Sequence, residues 1–481
     1  MTRRCAAELL PLILLTAAVA AFSCCIQNDP FFWDTVQLAS KHAHFFYDRG
    51  LRWAALPPDV DSGHPPLLGW YLAAVWMLCG KTLPVSHWAM FPFLLANALL
   101  LYRLGRRLGG AKWAAWLLPL ALLDPVMGGQ SALVSPDVVL STCFLLGVEA
   151  ALAGRAWLLA LAVAGLCAIS MRGMMTAAAL GLWQVLSMLA PSAGVAPRAW
   201  GRLLAPFLPG FALGAGFLIW HWQATGWVGH HAGSPWAGAF VRAEGMGLLR
   251  NAAVLAWRWA DLGRWVEWAA AAALLLGGAF RRDALLLRLL LLCGALALLL
   301  SPSGLLYANL SAHRYFLPLF LGLHLLVFRG VAAGFFPQTA AAAAPTWRVW
   351  AVWAWLVISL STGHLWVYPR GVSLDWDCTW AHWPYHGQRA AALRFLRENG
   401  IAPHQVGTAF PSLNSGEHLL LDGDTSRLAP LDWQRNTYVL ASNVFNDLNE
   451  PDFQRLEREW QPICSWQHPV GTWMTLYRRK P

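Results

Sequence analysis

Charge is what this sequence has least of: only 12% of its 481 residues are Asp, Glu, Lys or Arg, while 57% are hydrophobic. A soluble globular domain carries about a quarter charged residues, and a mean hydropathy of +0.45 with apolar runs of bilayer length leaves a polytopic membrane protein. A basic stripe is also missing. The net charge of +10 comes from arginine groups set between apolar runs, as positive-inside orientation requires, so nucleic acid is excluded as a partner and membrane lipids are the expected surroundings. The nine cysteines show no metal-ligand spacing and lie mostly in apolar runs, where they act as small hydrophobes. Internal repeats are absent. The one low-complexity tract, QTAAAAAPT, reads as a plain cytoplasmic connection.

What is abundant is tryptophan, 30 residues, suited to many membrane interfaces because indole is favoured at headgroup level. Arg3 and Arg4 place the start of a first span, about 5–27, in the cytoplasm. A leader cleaved near AVAAFS is the alternative, but the run is longer than a usual signal core. Pro65 to Gly80 is short for a span and suits an interfacial helix, whereas about 87–102 runs into YRLGRRLGGAK, a strong cytoplasmic signal. Residues 28–86 then lie outside. Further spans are expected near 113–128, 137–153, 156–171, 174–190, 205–222, 262–279, 288–306, 315–329 and 347–363. The basic loop with Arg198 and Arg202 lies inside, and the loop with His230 and His231 outside.

These runs predict about eleven transmembrane helices in residues 1–366, with the N-terminus cytoplasmic, followed by an external soluble α/β domain, 367–481, where Asp, Glu, Asn and Gln return. In that domain RAAALRFLRENG reads as an amphipathic helix stopped by Gly400, QVGTAF and TYVLAS as strands, and ICSWQHPVGTWMTLY as a hairpin. Cys378 and Cys464 both fall there, and an oxidising compartment would allow them to pair.

The unusual polar groups gather at external segments. NDPFFWDTVQLASKHAHFFYD has the pattern of an amphipathic surface helix, which explains most of its charges by solvation alone. Asp34 differs, since an unpaired carboxylate inside FFWDT needs a partner or a purpose. In DSGHPPLLGWY, Pro65 and Pro66 stiffen the turn that carries Asp61 and His64, although a capped helix start is a sufficient structural reason for the same pattern. Asp137 follows Pro136 at the external end of a span, where a first-turn carboxylate is favourable in any case. Arg172 in AISMRGMMT and Arg314, beside Tyr315 in SAHRYFLPL, stand at external span ends, against the positive-inside bias. Snorkelling to headgroups and bidentate capture of a phosphate both fit them. Carboxylates and guanidinium groups on one face of an apolar bundle suit a lipid-phosphate substrate.

The order of these motifs resembles the GT-C membrane glycosyltransferases, in particular the branch with protein O-mannosyltransferases and lipid A aminoarabinose transferases (glycosyltransferase family 39 type). FFWDT matches the acidic first-loop motif, GHPPLLGWY the Lys-Pro-Pro segment, LYRLGRRLGG the basic turn, SPDVVLSTCFLL a later span opening on Asp, Arg172-Gly173 a Lys-Gly pair, and RYFLP an Arg-Tyr-Leu-Pro. The resemblance covers about residues 1–365. It implies inverting transfer of a sugar, hexosyl or pentosyl, from a polyprenyl-phosphate donor to a lipid, glycan or protein acceptor on the external, periplasmic face of a bacterial inner membrane. In that reading Asp34 is the catalytic carboxylate with Asp137 in support, and His64, Arg172, Arg314, Tyr315 and Asp61 meet donor or phosphate. Two departures stand out: Thr35 replaces the second acid of the motif, and His64 replaces the lysine. They leave metal use open, with no cofactor assigned and no metal ligands named. A lipid or lipid-linked-sugar flippase is the alternative, though transporters place polar groups near mid-span. A membrane-anchored binding protein working through residues 368–481 is a third reading.

Overall fold

The structure is a computed structural model that describes residues 3–189, 199–234, 237–334, 347–369 and 375–481. The Ala-rich linker and Arg198 lie outside the described residues, as does the side chain of Arg202. The chain begins with α1 (Arg3–Ile26). The first loop then folds into a π-helical turn (Val36–Lys41), α2 (His42–Asp48) and α3 (Leu67–Cys79). α4 (Leu83–Gly109) starts at Thr82, whose hydroxyl caps Val85 N–H at 3.3 Å, and stops at Gly110.

The expected span at about 113–128 is not one helix. It breaks into a 3₁₀ turn, α5 (Leu117–Leu122) and α6 (Pro125–Ser131), because Asp124 caps Val126 and Met127 ahead of Pro125 and so opens a new helix in mid-run. From there α7 (Pro136–Ala153), α8 (Ala156–Ile169), α9 (Met171–Leu189), the short α10 (Ala199–Leu204) and α11 (Leu208–Thr225) follow the hydropathy pattern. α12 (Met246–Ala260) was not foreseen in the loop after them; α13 (Trp265–Leu276), α14 (Ala284–Leu306), α15 (Leu317–Ala332) and α16 (Trp347–Gly363) then match expected runs. Among the described residues four helical segments, Leu83–Gly109, Pro136–Ala153, Ala284–Leu306 and His313–Ala332, are long and apolar enough to cross a membrane. Five shorter apolar helices accompany them, so the molecule is an integral membrane protein but the expected eleven spans do not appear as eleven uniform helices.

The C-terminal part carries α17 (Trp383–Glu398), α18 (Gly416–Leu419) and α19 (Glu450–Glu459), with strands β1 (Val406–Thr408), β2 (Ala429–Pro430), β3 (Tyr438–Ser442), β4 (Trp460–Gln467) and β5 (Trp473–Arg479). They form one mixed sheet of order β2-β1-β3-β5-β4, with β1 parallel to both neighbours and β4-β5 an antiparallel hairpin. The amphipathic helix, both single strands and the hairpin thus sit where their sequence patterns put them, and Gly400 leaves α17 with φ +66°. Cys378 and Cys464 are both unpaired, Cys378 buried.

This sheet does not close its own core. Phe32, Trp33 and Leu133 are buried in the same apolar cluster as Val406, Val439, Leu440 and Leu476. Phe32 stacks on His382 with ring centroids 4.7 Å apart, Trp33 meets Phe410 edge-on at 4.9 Å, and Phe31 N–H donates to Leu419 C=O at 2.9 Å. The aromatic residues before Asp34 therefore anchor the first loop beneath the C-terminal sheet.

Candidate functional site

Asp34 follows Trp33, whose φ of +56° is a left-handed conformation costly for an aromatic residue, and precedes the π-helical turn. The packing of Phe32 and Trp33 holds that backbone in place, a common device at functional positions. Thr35, where the motif would carry a second acid, is occupied structurally: its hydroxyl donates to Phe32 C=O at 2.7 Å and accepts from Phe32 N–H at 3.0 Å.

The carboxylate of Asp34 is ion-paired with Arg314. Arg314 is 3% exposed and also faces Asp137 at 3.8 Å and Asp377 at 3.3 Å. Asp137, at the start of α7 where Ser135 caps its N–H, receives two hydrogen bonds from Arg172, Nη1 at 2.7 Å and Nη2 at 3.3 Å. Arg172 donates in addition to Arg314 C=O at 3.3 Å. Both guanidinium groups lie against the Tyr315 ring, at 4.6 and 5.2 Å from its centroid. Asp34, Asp137, Arg172, Arg314 and Tyr315, drawn from distant parts of the sequence, thus form one chain of alternating charge, buried at Asp137 and Arg314 and half-buried at the other three, at the end of the bundle that meets the C-terminal sheet.

The other two expected residues are placed differently. Asp61 accepts from Gly63 N–H at 2.8 Å and bonds His221 Nε2 at 2.9 Å, so both its oxygens are engaged away from the arginines. Gly63 is required there: its φ is +72°, and a Cβ would come within 2.5 Å of Gly229 C=O. His64 lies beside Arg172 in a small cavity that His42, Pro65, Leu68, Pro136, Ile169 and Ser170 also line. Its Nδ1 accepts from Met171 N–H at 3.4 Å. A free histidine changes charge near neutrality; burial, reinforced by the Arg172 cation, lowers the pKa of His64 to about 3 and makes it a neutral imidazole.

Asp261, His313, Asp375 and Asp377, with Arg258 beside them, escape the sequence reading. Asp375 and Asp377 come from the segment after α16, and burial, abetted by Asp34, Asp375 and Asp137, pushes Asp377 up to about 6 against the pull of Arg314. Asp377 Oδ2 and Arg314 Nε lie 3.3 Å apart but misaligned, and neither has a hydrogen-bond partner among the described residues. His313, fully buried, bonds Asp261 Oδ2 through Nε2 at 2.9 Å and Asp375 Oδ2 through Nδ1 at 2.7 Å, while its N–H donates to the same Asp375 oxygen at 2.9 Å. Burial would raise the Asp375 pKa, but Arg258 and His313 outweigh it and hold it well below the carboxylate range. The pattern LDWDC was visible beforehand as two acids around a tryptophan, and His313 adjoins Arg314; neither spacing indicated a contact across 60 residues.

A helical bundle with a small sheet at one end is a fold this chain shares with solved structures over nearly its whole length. The likeness is to the crystal structures of ArnT from Cupriavidus metallidurans. The form bound to undecaprenyl phosphate aligns over 96% of this chain and 97% of that one with a TM-score of 0.52 and 12% identity. The apo form aligns over the same shares with a TM-score of 0.50 and 14% identity. No family model and no curated protein matches the sequence.

Proposed function

We propose that this chain is an inverting glycosyltransferase that moves a sugar from a polyprenyl-phosphate donor to a hydroxyl acceptor at the external face of a bacterial inner membrane. The observation that carries the reading is the pairing of Asp34 with Arg314, itself joined through Asp137 to Arg172, in a fold whose solved counterpart is recorded with undecaprenyl phosphate.

In this mechanism Asp34, ion-paired with Arg314, receives the proton of the acceptor hydroxyl. The acceptor oxygen forms a bond to the anomeric carbon while the bond from that carbon to the phosphate oxygen breaks, so configuration inverts and polyprenyl phosphate leaves. Arg172 borders the cavity beside His64 and would neutralise the departing phosphate. Asp137, bonding two of its nitrogens, fixes the plane of that guanidinium group, so the cation is oriented before the donor arrives. His64, uncharged, would contribute a hydrogen bond rather than a charge.

A lipid transporter finds one specific support: a fully buried group within the bundle where Asp124 bonds Arg264 at 2.6 Å and Glu267 bonds His324 at 2.6 Å. One assay separates the two. Purified protein is incubated with labelled polyprenyl-phosphate sugars, and release of polyprenyl phosphate is compared between wild type and Asp34→Asn. Release by wild type alone supports transfer; no release by a well-folded wild type with any donor overturns it.

A further inference from the structure

Directly behind Arg314 lies a cluster whose composition is not that of a simple ion-pair network. A ring nitrogen of His313, a carboxylate oxygen of Asp375 and the Sγ of Cys378 all lie within 4.8 Å of one another, and all three residues are buried. A nitrogen, an oxygen and a sulfur donor are thus gathered in one place, the donor set of a borderline divalent cation, zinc above all. A second carboxylate is at hand, since Asp377 Oδ1 lies 3.5 Å from that sulfur. Its other oxygen, 3.3 Å from Arg314 Nε, has no hydrogen-bond partner among the described residues although the side chain is only 1% exposed.

Two further features fit a metal. Metal-bound histidines usually bond a carboxylate through the far nitrogen, which fixes tautomer and ring plane. Asp261 stands in that position at 2.9 Å from His313 Nε2, and is itself held by Leu262 N–H at 2.8 Å and by the Tyr368 hydroxyl. The charge balance also has room for a cation. Among the described residues, Asp34, Asp137, Asp261, Asp375 and Asp377 interlock with three arginines, Arg172, Arg258 and Arg314, which is two fewer than the carboxylates. Arg258 is the competing cation, with Nη1 3.5 Å from His313 Nδ1 and 3.8 Å from Asp375 Oδ2, so a metal would share Asp375 with it.

We propose that His313, Asp375 and Cys378, with Asp377 as fourth ligand, form a closed structural site for a divalent cation of the zinc class, which clamps the segment after α16 to the turn that carries Arg314. Binding replaces the Cys378 thiol proton, which leaves to water, by a sulfur–metal bond. His313 and Asp375 now touch at hydrogen-bond distance, 2.7 Å. They would part to roughly 3.4 Å, the edge of a tetrahedron with bonds of about 2.0–2.1 Å. Gly129 keeps the clamp tight from the other side, since a Cβ there would come within 2.6 Å of the Cys378 carbonyl carbon and the Thr379 nitrogen.

The test measures metal, so it stands apart from whether sugar transfer is right. Full-length protein with a tag free of histidine is equilibrated with zinc, passed through a desalting column, and its metal content determined. About one equivalent is expected, falling at least fivefold in Cys378→Ser and unchanged in Asp34→Asn. Should Cys378→Ser fold poorly, cobalt loading of wild type gives a second readout: a thiolate-to-cobalt absorption in the near ultraviolet is expected, and tight cobalt binding without it removes Cys378 as ligand. Less than a fifth of an equivalent in wild type, or full retention by folded Cys378→Ser, overturns the proposal.

Discussion

Asp137 and Arg172 face each other in a two-point hydrogen-bonded pair, at 2.7 and 3.3 Å, across the ends of α7 and α9. The pair is nearly shut off from solvent, with the Asp137 side chain 2% and the Arg172 side chain 14% exposed. Such a contact depends on a planar fork, which a lysine cannot reproduce. Arg172→Lys is expected to raise the apparent KM for the polyprenyl-phosphate donor by about tenfold or more while the protein still purifies as a folded monodisperse species. Donor titrations against both proteins check this, and an unchanged KM would detach Arg172 from the phosphate.

Asp34→Asn keeps the shape of the side chain and removes its charge. A loss of roughly 10²–10⁴ in turnover is expected if the carboxylate accepts the acceptor proton. Arg314 retains Asp377 and Asp137 as counter-charges, so the fold is kept. Single-turnover rates together with thermal melting in detergent distinguish this from simple unfolding.

Acid should destabilise the protein before it protonates most carboxylates. His64 is lowered to about 3, chiefly by burial, and His42, His382 and His418 to about 4 for the same first reason. A histidine held neutral in the fold binds fewer protons than in the unfolded chain, whose value lies near 6.5, so its share of stability is complete above that value and is lost as pH falls toward the folded value. The melting temperature should drop between pH 6.5 and pH 4, and His64→Asn should shallow that drop. A flat profile across the interval contradicts it.

Gly63→Ala is expected to destabilise by about 1–3 kcal/mol through backbone strain at positive φ, beyond which the added methyl meets the Gly229 carbonyl. Because His64 is the next residue, donor affinity should fall as well. A melting curve and a donor titration on one sample read both effects.

The sequence reads 367–481 as an external soluble domain that follows the membrane part. The shared apolar cluster changes the expectation: with the sheet gone, Phe32 and Trp33 lose the surfaces that hold Asp34. Trp33→Ala alone should cost about 3–5 kcal/mol and reduce turnover, while the truncated chain should aggregate. A truncation that stays monodisperse and active would show that the first loop folds without the sheet.

Hydropathy, arginine placement and local turn chemistry were enough to identify a membrane bundle, most of its helices, the helix and strands of the later segment, and five residues, Asp34, Asp137, Arg172, Arg314 and Tyr315, that come together. Those signals are local, since a transfer free energy, a capping residue or a proline acts within a few positions of itself. What the sequence left open follows from contacts at long range. Asp124 and Pro125 show a possible helix start, yet only packing decides that it interrupts a span. Asp61 looks as fit for the site as Asp137 until His221, 160 residues away, takes its second oxygen. His64 reads as a titrating group until burial beside Arg172 makes it neutral. The acids of LDWDC have no visible purpose until the chain, after the last helix of the bundle, folds back onto His313 and Arg314. Charge and desolvation are properties of a place in three dimensions, and only the tertiary structure sets them.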